Sequence, residues 1–226
     1  MSRLVAWPAT LAALGATLGA GLGAALAGCG DNLTAADAPA GVPDLQFVPE
    51  AMAGTVAVDV AELAADNCAV VEHCVGGPGR RKLLRFATVT ANLGSGDLIV
   101  GVPPPVGESN DVFQWSPCHM HHHFLNYASF ELVDGAGNVV TARKQSFCLE
   151  DDRPVVLGAQ KHGYTCKNQG ITRGYADVYG SDLDCQWIDI TGMAPGAYTL
   201  RMVVNPLHTI VESDTTNNVF SVPVSL

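Results

Sequence analysis

The chain is poor in positive charge. Of its 226 residues only 12 are Lys or Arg against 22 Asp or Glu, a formal net charge of −10, and no basic run interrupts the excess. Such a surface repels a phosphate backbone, so nucleic acid is excluded as a partner, while cationic ligands gain a weak, salt-screened bias. Charge of either sign is missing from Leu4 to Gly28. Beyond that stretch the sequence has no long amphipathic period, which argues against helices as the core, and no internal repeat. At this length one sizeable core can be buried, and two ordinary domains with tails cannot.

What is present begins with the leader. Arg3 and the uncharged stretch after it read as an export signal. It ends in Leu26-Ala27-Gly28-Cys29, which resembles the lipobox of bacterial lipoproteins, with residues 1–28 removed and Cys29 lipidated. The competing reading is a spanning helix with a Gly15, Gly19, Gly23 face, weakened by Pro8 and the many glycines. On the lipoprotein reading the membrane is met by the lipid anchor only. Gly30, where an Asp would favour the inner membrane, points to the outer membrane or cell surface of a bacterial envelope. Residues 29–42 hold too little apolar side chain to pack and form a tether, leaving 43–226 as the domain. Outside the cytoplasm, Cys68, Cys74, Cys118, Cys148, Cys166 and Cys185 form an even set, so three disulfides are expected. Six cysteines allow 15 pairings, and spacing does not choose among them.

The domain reads as all-β: a β-sandwich core with long irregular loops, stabilised by disulfides. Short β-rich runs alternate with turn signals at 45–48, 55–63, 83–93, 97–102, 197–205 and 217–226. Two further runs flank Gly135-Ala136-Gly137 and predict a hairpin. Residues 150–174 show no periodicity and read as a long irregular segment, which in a compact domain is usually functional.

Four of the seven histidines fall within Cys118–His123. In a strand, His119, His121 and His123 project to one side and Met120 and His122 to the other, with same-side neighbours roughly 6.6 to 6.8 Å apart. A twist or bulge can then converge three imidazoles on one ion with bonds of about 2.0 Å. All-imidazole ligation suits Cu, Zn or Ni rather than Ca or Mg, and three protein ligands leave positions open for chemistry. A solvated His-rich surface is the plain alternative.

The segment Trp115-Ser116-Pro117-Cys118-His119-Met120-His121-His122-His123 resembles the copper-binding segment of the lysyl oxidase family. Lys144–Asp151 is similar to that family's segment around its cofactor lysine, and Asp177–Thr191 to the one holding its cofactor tyrosine. Val204-Asn205-Pro206 and Glu212–Asn218 extend the match in the same order, over roughly residues 43 to 226. The resemblance implies Cu(2+) on His119, His121 and His123, and lysine tyrosylquinone made from Lys144 and Tyr179. It implies the pairs Cys68 with Cys118, Cys74 with Cys185, and Cys148 with Cys166. A further disulfide of the animal domain would fall at Pro154 and Tyr175, where both cysteines are absent together. The animal family's C-terminal tail is not matched after Asn218, so a more open groove is expected, and collagen and elastin do not carry over as substrates.

The implied activity is that of a copper-dependent amine oxidase. It would take peptidyl lysine in a peptide or protein, or another primary amine, to an aldehyde, with O2 reduced to hydrogen peroxide and ammonia released. Copper beside Tyr179 would draw its phenol, pKa about 10 when free, toward phenolate, and Lys144 could attack the oxidised ring only as a neutral amine. Asp182, Asp184 and Asp189 are the candidate bases for α-proton removal, with turn hydrogen bonding as the alternative role for Asp184 and Asp189. Trp115 and Trp187 read as core or pocket wall, Tyr127, Tyr164 and Tyr175 as phenols without the motif context, Lys161 and Lys167 as solvated, and His162 and His208 as structural or exposed. The alternative function is a copper-binding surface lipoprotein that never matures the quinone.

Overall fold

Strands form where β-branched and aromatic residues alternate with polar ones, and several end at a Gly, Pro, Asn or Asp, as at Asn92, Gly101, Asp134, Gly180 and Asn205. The computed structural model describes residues 41–52, 54–145 and 147–226, giving 142–145 by their backbone alone. The leader, Cys29 and most of the tether lie outside the described residues. In chain order the elements are β1 (Leu45–Phe47), α1 (Pro49–Met52), β2 (Ala57–Leu63), α2 (Cys68–Val71), β3 (Gly79–Arg85), β4 (Thr88–Asn92), β5 (Leu98–Gly101), β6 (Phe113–Ser116), β7 (His121–Phe124), β8 (Ala128–Val133), β9 (Val139–Gln145), β10 (Arg153–Pro154), β11 (Gln169–Ile171), β12 (Tyr175–Tyr179), β13 (Trp187–Asp189), β14 (Ala197–Val204) and β15 (Val219–Ser225). The chain is nearly all β, as expected. No helix among the described residues is long and apolar enough to cross a membrane.

Two four-stranded antiparallel sheets, ordered β15-β14-β8-β9 and β1-β4-β12-β10, supply most of the core. Period-two alternation turns Ala128, Phe130 and Leu132 of β8 and Leu200, Met202 and Val204 of β14 inward. They join Val89, Ala91 and Ala176 of the other sheet in one cluster, where Phe86 meets Phe130 edge-on at 4.8 Å between ring centroids. β4 is buried along its whole length, as a central strand covered on both faces must be. A third sheet, β13-β3-β2, closes a smaller cluster in which Trp187 packs beside Cys74 and Cys185. Arg85 lies 4.4 Å over the Trp187 ring, so that indole is core, capped by a cation.

The predicted hairpin is β8 and β9. Asp134 Oδ1 accepts from the N–H groups of Ala136 and Asn138, and Gly137 takes the left-handed conformation the turn needs (φ 86). The run at 83–93 is two strands in different sheets, broken at Phe86-Ala87. Residues 150–174 are largely irregular, carrying only β10 and β11. That segment is ordered by buried carboxylates instead of a ladder. Asp151 accepts from the backbone of Gly163, Tyr164 and Thr172 and from the Thr172 hydroxyl, and Asp97 Oδ2 meets His162 Nδ1 at 2.5 Å. Of the two roles expected for His162, structural or exposed, it takes the structural one.

Three disulfides join the expected pairs: Cys68–Cys118, Cys74–Cys185 and Cys148–Cys166, with Cα atoms 5.7, 5.3 and 5.0 Å apart. The Asn205 and Glu212 motifs act as structural polar glue. Asn205 Nδ2 donates to Ile210 O and to Glu212 Oε1, and Glu212 Oε2 accepts the Leu45 N–H, tying the β14–β15 connection to β1.

Candidate metal centre

β6 and β7 pair with Trp115 opposite His122 and Ser116 opposite His121. His119 lies before the strand, in a turn whose next residue, Met120, takes a left-handed φ of 57. The expected continuous strand from His119 to His123 is thus a turn followed by a strand. The turn delivers the convergence that a strand's spacing alone would not. Ligand atoms of His119, His121 and His123 all lie within 4.8 Å of one another, and their ring centroids are 5.1 to 5.7 Å apart. His119 Nδ1 stands 3.3 Å from His123 Nε2. Burial, then the neighbouring His119, lowers the His121 pKa below the usual 6.5, which keeps that imidazole neutral as a ligand must be.

His122 faces the other way, as alternation predicts. It is buried against Trp115 at 5.0 Å and Phe113 at 6.4 Å, and its Nε2 meets Glu108 O at 2.9 Å. Trp115 is the wall on this side. A largely apolar groove of about 340 Å³ opens beside the triad, lined by Pro103, Pro104, Trp115, Met120, His121 and others.

A short stretch, Phe147–Asp152, joins the imidazoles to the tyrosine strand. Phe147 O accepts the Phe124 N–H that ends β7, and the Phe147 ring meets His123 edge-on at 5.9 Å. On its other side the same ring stacks on Tyr179 at 4.1 Å, and the Tyr179 hydroxyl donates to Cys148 O. The Cys148 and Cys166 sulfurs, bonded to each other and so not available as ligands, lie within 4.8 Å of a His121 ring nitrogen. Gln169, wholly buried, accepts the Leu149 N–H at 3.1 Å and donates to His122 O at 2.7 Å, bracing the stretch against β7. Lys144 is the last residue but one of β9, opposite Ser129 of β8. Four residues of chain separate it from Cys148, so their Cα atoms are at most about 14 Å apart.

Carboxylates surround the phenol. Asp177 sits two residues before Tyr179 on β12, buried, with Oδ1 accepting the Glu150 N–H and Oδ2 without a hydrogen-bond partner among the described residues. Burial, then Asp152, pushes its pKa well above 3.8; burial likewise raises Glu150 and Asp152. The Tyr179 phenol is itself pushed well above 10, by burial and then by Asp177. Tyr127 is shifted the same way by burial and Asp177, and Tyr164 by burial and Asp97.

The three acids expected from the sequence have other surroundings. Asp182 and Asp184 are exposed, Asp182 tucked so close that a Cβ on Gly180 would come within 2.3 Å of its Oδ1. Asp189 pairs with Arg81. Against burial, which raises it, the Thr191 hydroxyl and the N–H groups of Gly76 and Thr191 hold its carboxyl below the usual range. Asp177 was not among the expected bases; the signal for it is its same-face position, i and i+2, relative to Tyr179.

The family described as lysyl oxidase matches residues 43–225 of the chain. Lysyl oxidase homolog 1 of Homo sapiens is 35% identical over 191 residues, covering 79% of this chain and 32% of that protein. Protein-lysine 6-oxidase of Homo sapiens is 34% identical over 191 residues, covering 79% and 44%. Lysyl oxidase homolog 2A of Danio rerio is 36% identical over 189 residues, covering 78% and 25%. The chain spans less than half the length of each of these relatives.

Proposed function

Because this chain belongs to the lysyl oxidase family, we propose that it is a copper-dependent amine oxidase, converting primary amines or peptidyl lysine to aldehydes with O2. The observation that carries this reading is the ring contact linking the three-imidazole cluster to Tyr179 through Phe147.

The donor set suits copper. Three converging imidazoles, one held neutral by its surroundings, match a borderline-soft redox metal far better than Ca or Mg. His119, His121 and His123 would hold it, and Lys144 and Tyr179 would be the precursors of lysine tyrosylquinone. Together these groups supply O2-linked redox chemistry and a reactive carbonyl for the amine. The protein's own residues position and protect that chemistry. Phe147 fixes the plane of the Tyr179 ring by stacking, and Cys148 O holds the phenolic proton. For proton removal from the substrate carbon we favour Asp177 over Asp182, Asp184 and Asp189. Its Oδ2 is buried beside the phenol, and desolvation raises its pKa toward the range in which a carboxylate is an effective base. The net charge of −10 favours approach of ammonium-bearing substrates. Export and lipid anchoring at Cys29, at the outer membrane or cell surface, complete the proposal.

The test is peroxide release from a panel of amines after copper loading, with Lys144→Arg and Tyr179→Phe as controls. Wild type is expected to turn over and both variants to be inactive. If all three behave alike the oxidase reading is wrong. Copper bound by all three, with no quinone absorbance in wild type, would favour the copper-handling lipoprotein instead.

A further inference from the structure

Glu72 is the carboxylate that faces the candidate centre. It caps α2, a four-residue turn whose first residue is tied by the Cys68–Cys118 disulfide to the residue before His119. Its Oε1 accepts the Ser116 hydroxyl, the Ser116 oxygen accepts the His119 N–H at 3.0 Å, and its Oε2 lies 3.5 Å from His119 Nδ1. The hydrogen-bonded brace therefore runs through Ser116 to the backbone of one prospective ligand, with the carboxylate lying close to its ring. Both the Glu72 and His119 side chains are mostly sheltered, 16% and 20% exposed, so the charge is only partly screened.

Three neutral imidazoles leave the full charge of a bound ion uncompensated. In a sheltered site that imbalance is costlier for Cu(II) than for Cu(I), and one nearby carboxylate offsets more of it for the divalent ion. Resting on the copper reading above, we infer that Glu72 is a positioning and charge-compensating partner of the centre. Acting through His119, it orients that ligand and biases the site toward Cu(II).

Glu72→Gln tests this, since the amide keeps an acceptor for Ser116 and removes the charge. Chelator-competition titrations of the disulfide-intact full chain with Cu(II) and with Cu(I) are the readout, alongside the paramagnetic spectrum of the Cu(II) form. Cu(II) affinity is expected to fall about 10- to 100-fold, the usual effect of losing an outer-shell partner. Cu(I) affinity is expected to fall at least tenfold less, raising the copper potential by about 59 mV per tenfold difference. A purely structural carboxylate would weaken both ions alike, and that result, or a Cu(II) change under threefold, overturns the inference. Glu72→Asp, which keeps the charge but shortens its reach, is expected to give an intermediate ratio and decides the matter if the Gln variant does not fold; an unchanged ratio would overturn it. Glu62→Gln, an exposed carboxylate of β2, is the control and leaves both affinities at wild-type values. If wild type binds no Cu(II) through imidazole nitrogens, the oxidase reading fails and the inference falls with it. If wild type binds and only the selective loss is missing, the inference alone fails.

Discussion

Gln169→Met removes one side chain and leaves two buried main-chain groups without partners. Gln169 is 0% exposed, and its amide serves the Leu149 N–H and the His122 carbonyl at once. A methionine of similar length fills the space but neither donates nor accepts. Each orphaned group costs about 1–3 kcal/mol in desolvation without return, and the thioether recovers part of that by apolar burial, for a net loss of about 3 kcal/mol. For a domain of this size that is a fall of about 6–12 °C in Tm. Calorimetry on the metal-free, disulfide-intact protein measures it, with exposed Lys167→Met as the reference. Hydrogen exchange adds a local reading: the Leu149 amide should lose protection while that of Leu200, in the centre of β14, keeps it. A Tm within 2 °C of wild type, or equal loss of protection at both amides, would refute the claim that this glutamine clamps the histidine strand to the Phe147–Asp152 stretch.

His122→Phe should keep copper affinity within threefold of wild type, because His122 faces Phe113 and Trp115, whereas His121→Phe should abolish tight binding; metal titration distinguishes them. Replacing Cys148 and Cys166 by alanine opens a loop of sequence separation 18, which costs roughly 3 kcal/mol in the loop-entropy account, so Tm should fall by about 6–12 °C. Copper affinity should fall with it, since those sulfurs flank His121. The Asp177 pKa is raised in the folded state, so the stability it allows is present below its unfolded value of 3.8 and is lost as pH rises through the raised one. Asp177→Asn should therefore gain Tm over wild type as pH rises above 3.8, until the raised folded-state value is passed, and a pH-independent difference counts against a buried, unpaired carboxylate.

The sheets were legible wherever one face is buried and the turn carries its own chemistry. The β8–β9 hairpin is such a case, with Asp134 and Gly137 supplying the turn and alternation supplying the register. The run at 83–93 was not legible as two strands, because hydrophobicity continues through Phe86-Ala87 while the chain changes sheets. Phe86 is fully buried against Phe130, a contact that no local pattern encodes. The order within 150–174 was equally invisible, since Asp97 meets His162 across 65 residues and Asp151 meets Thr172 across 21.

At the site, composition and alternation brought out the cluster of His119, His121 and His123 and the opposite-facing His122, but not the turn that carries His119. The resemblance implies that copper beside Tyr179 would draw its phenol toward phenolate, and the protein's own groups act in the opposite direction. Burial, Asp177, Tyr127, Glu150 and Asp152 all act to keep Tyr179 protonated. None of these five influences can be what activates the ring. Activation needs a positive charge brought near the phenol, and the ring contacts through Phe147 put His123, one of the three clustered imidazoles, on that side. Under the copper reading proposed above, a bound ion would have to outweigh burial and these carboxylates before the ring could lose its proton.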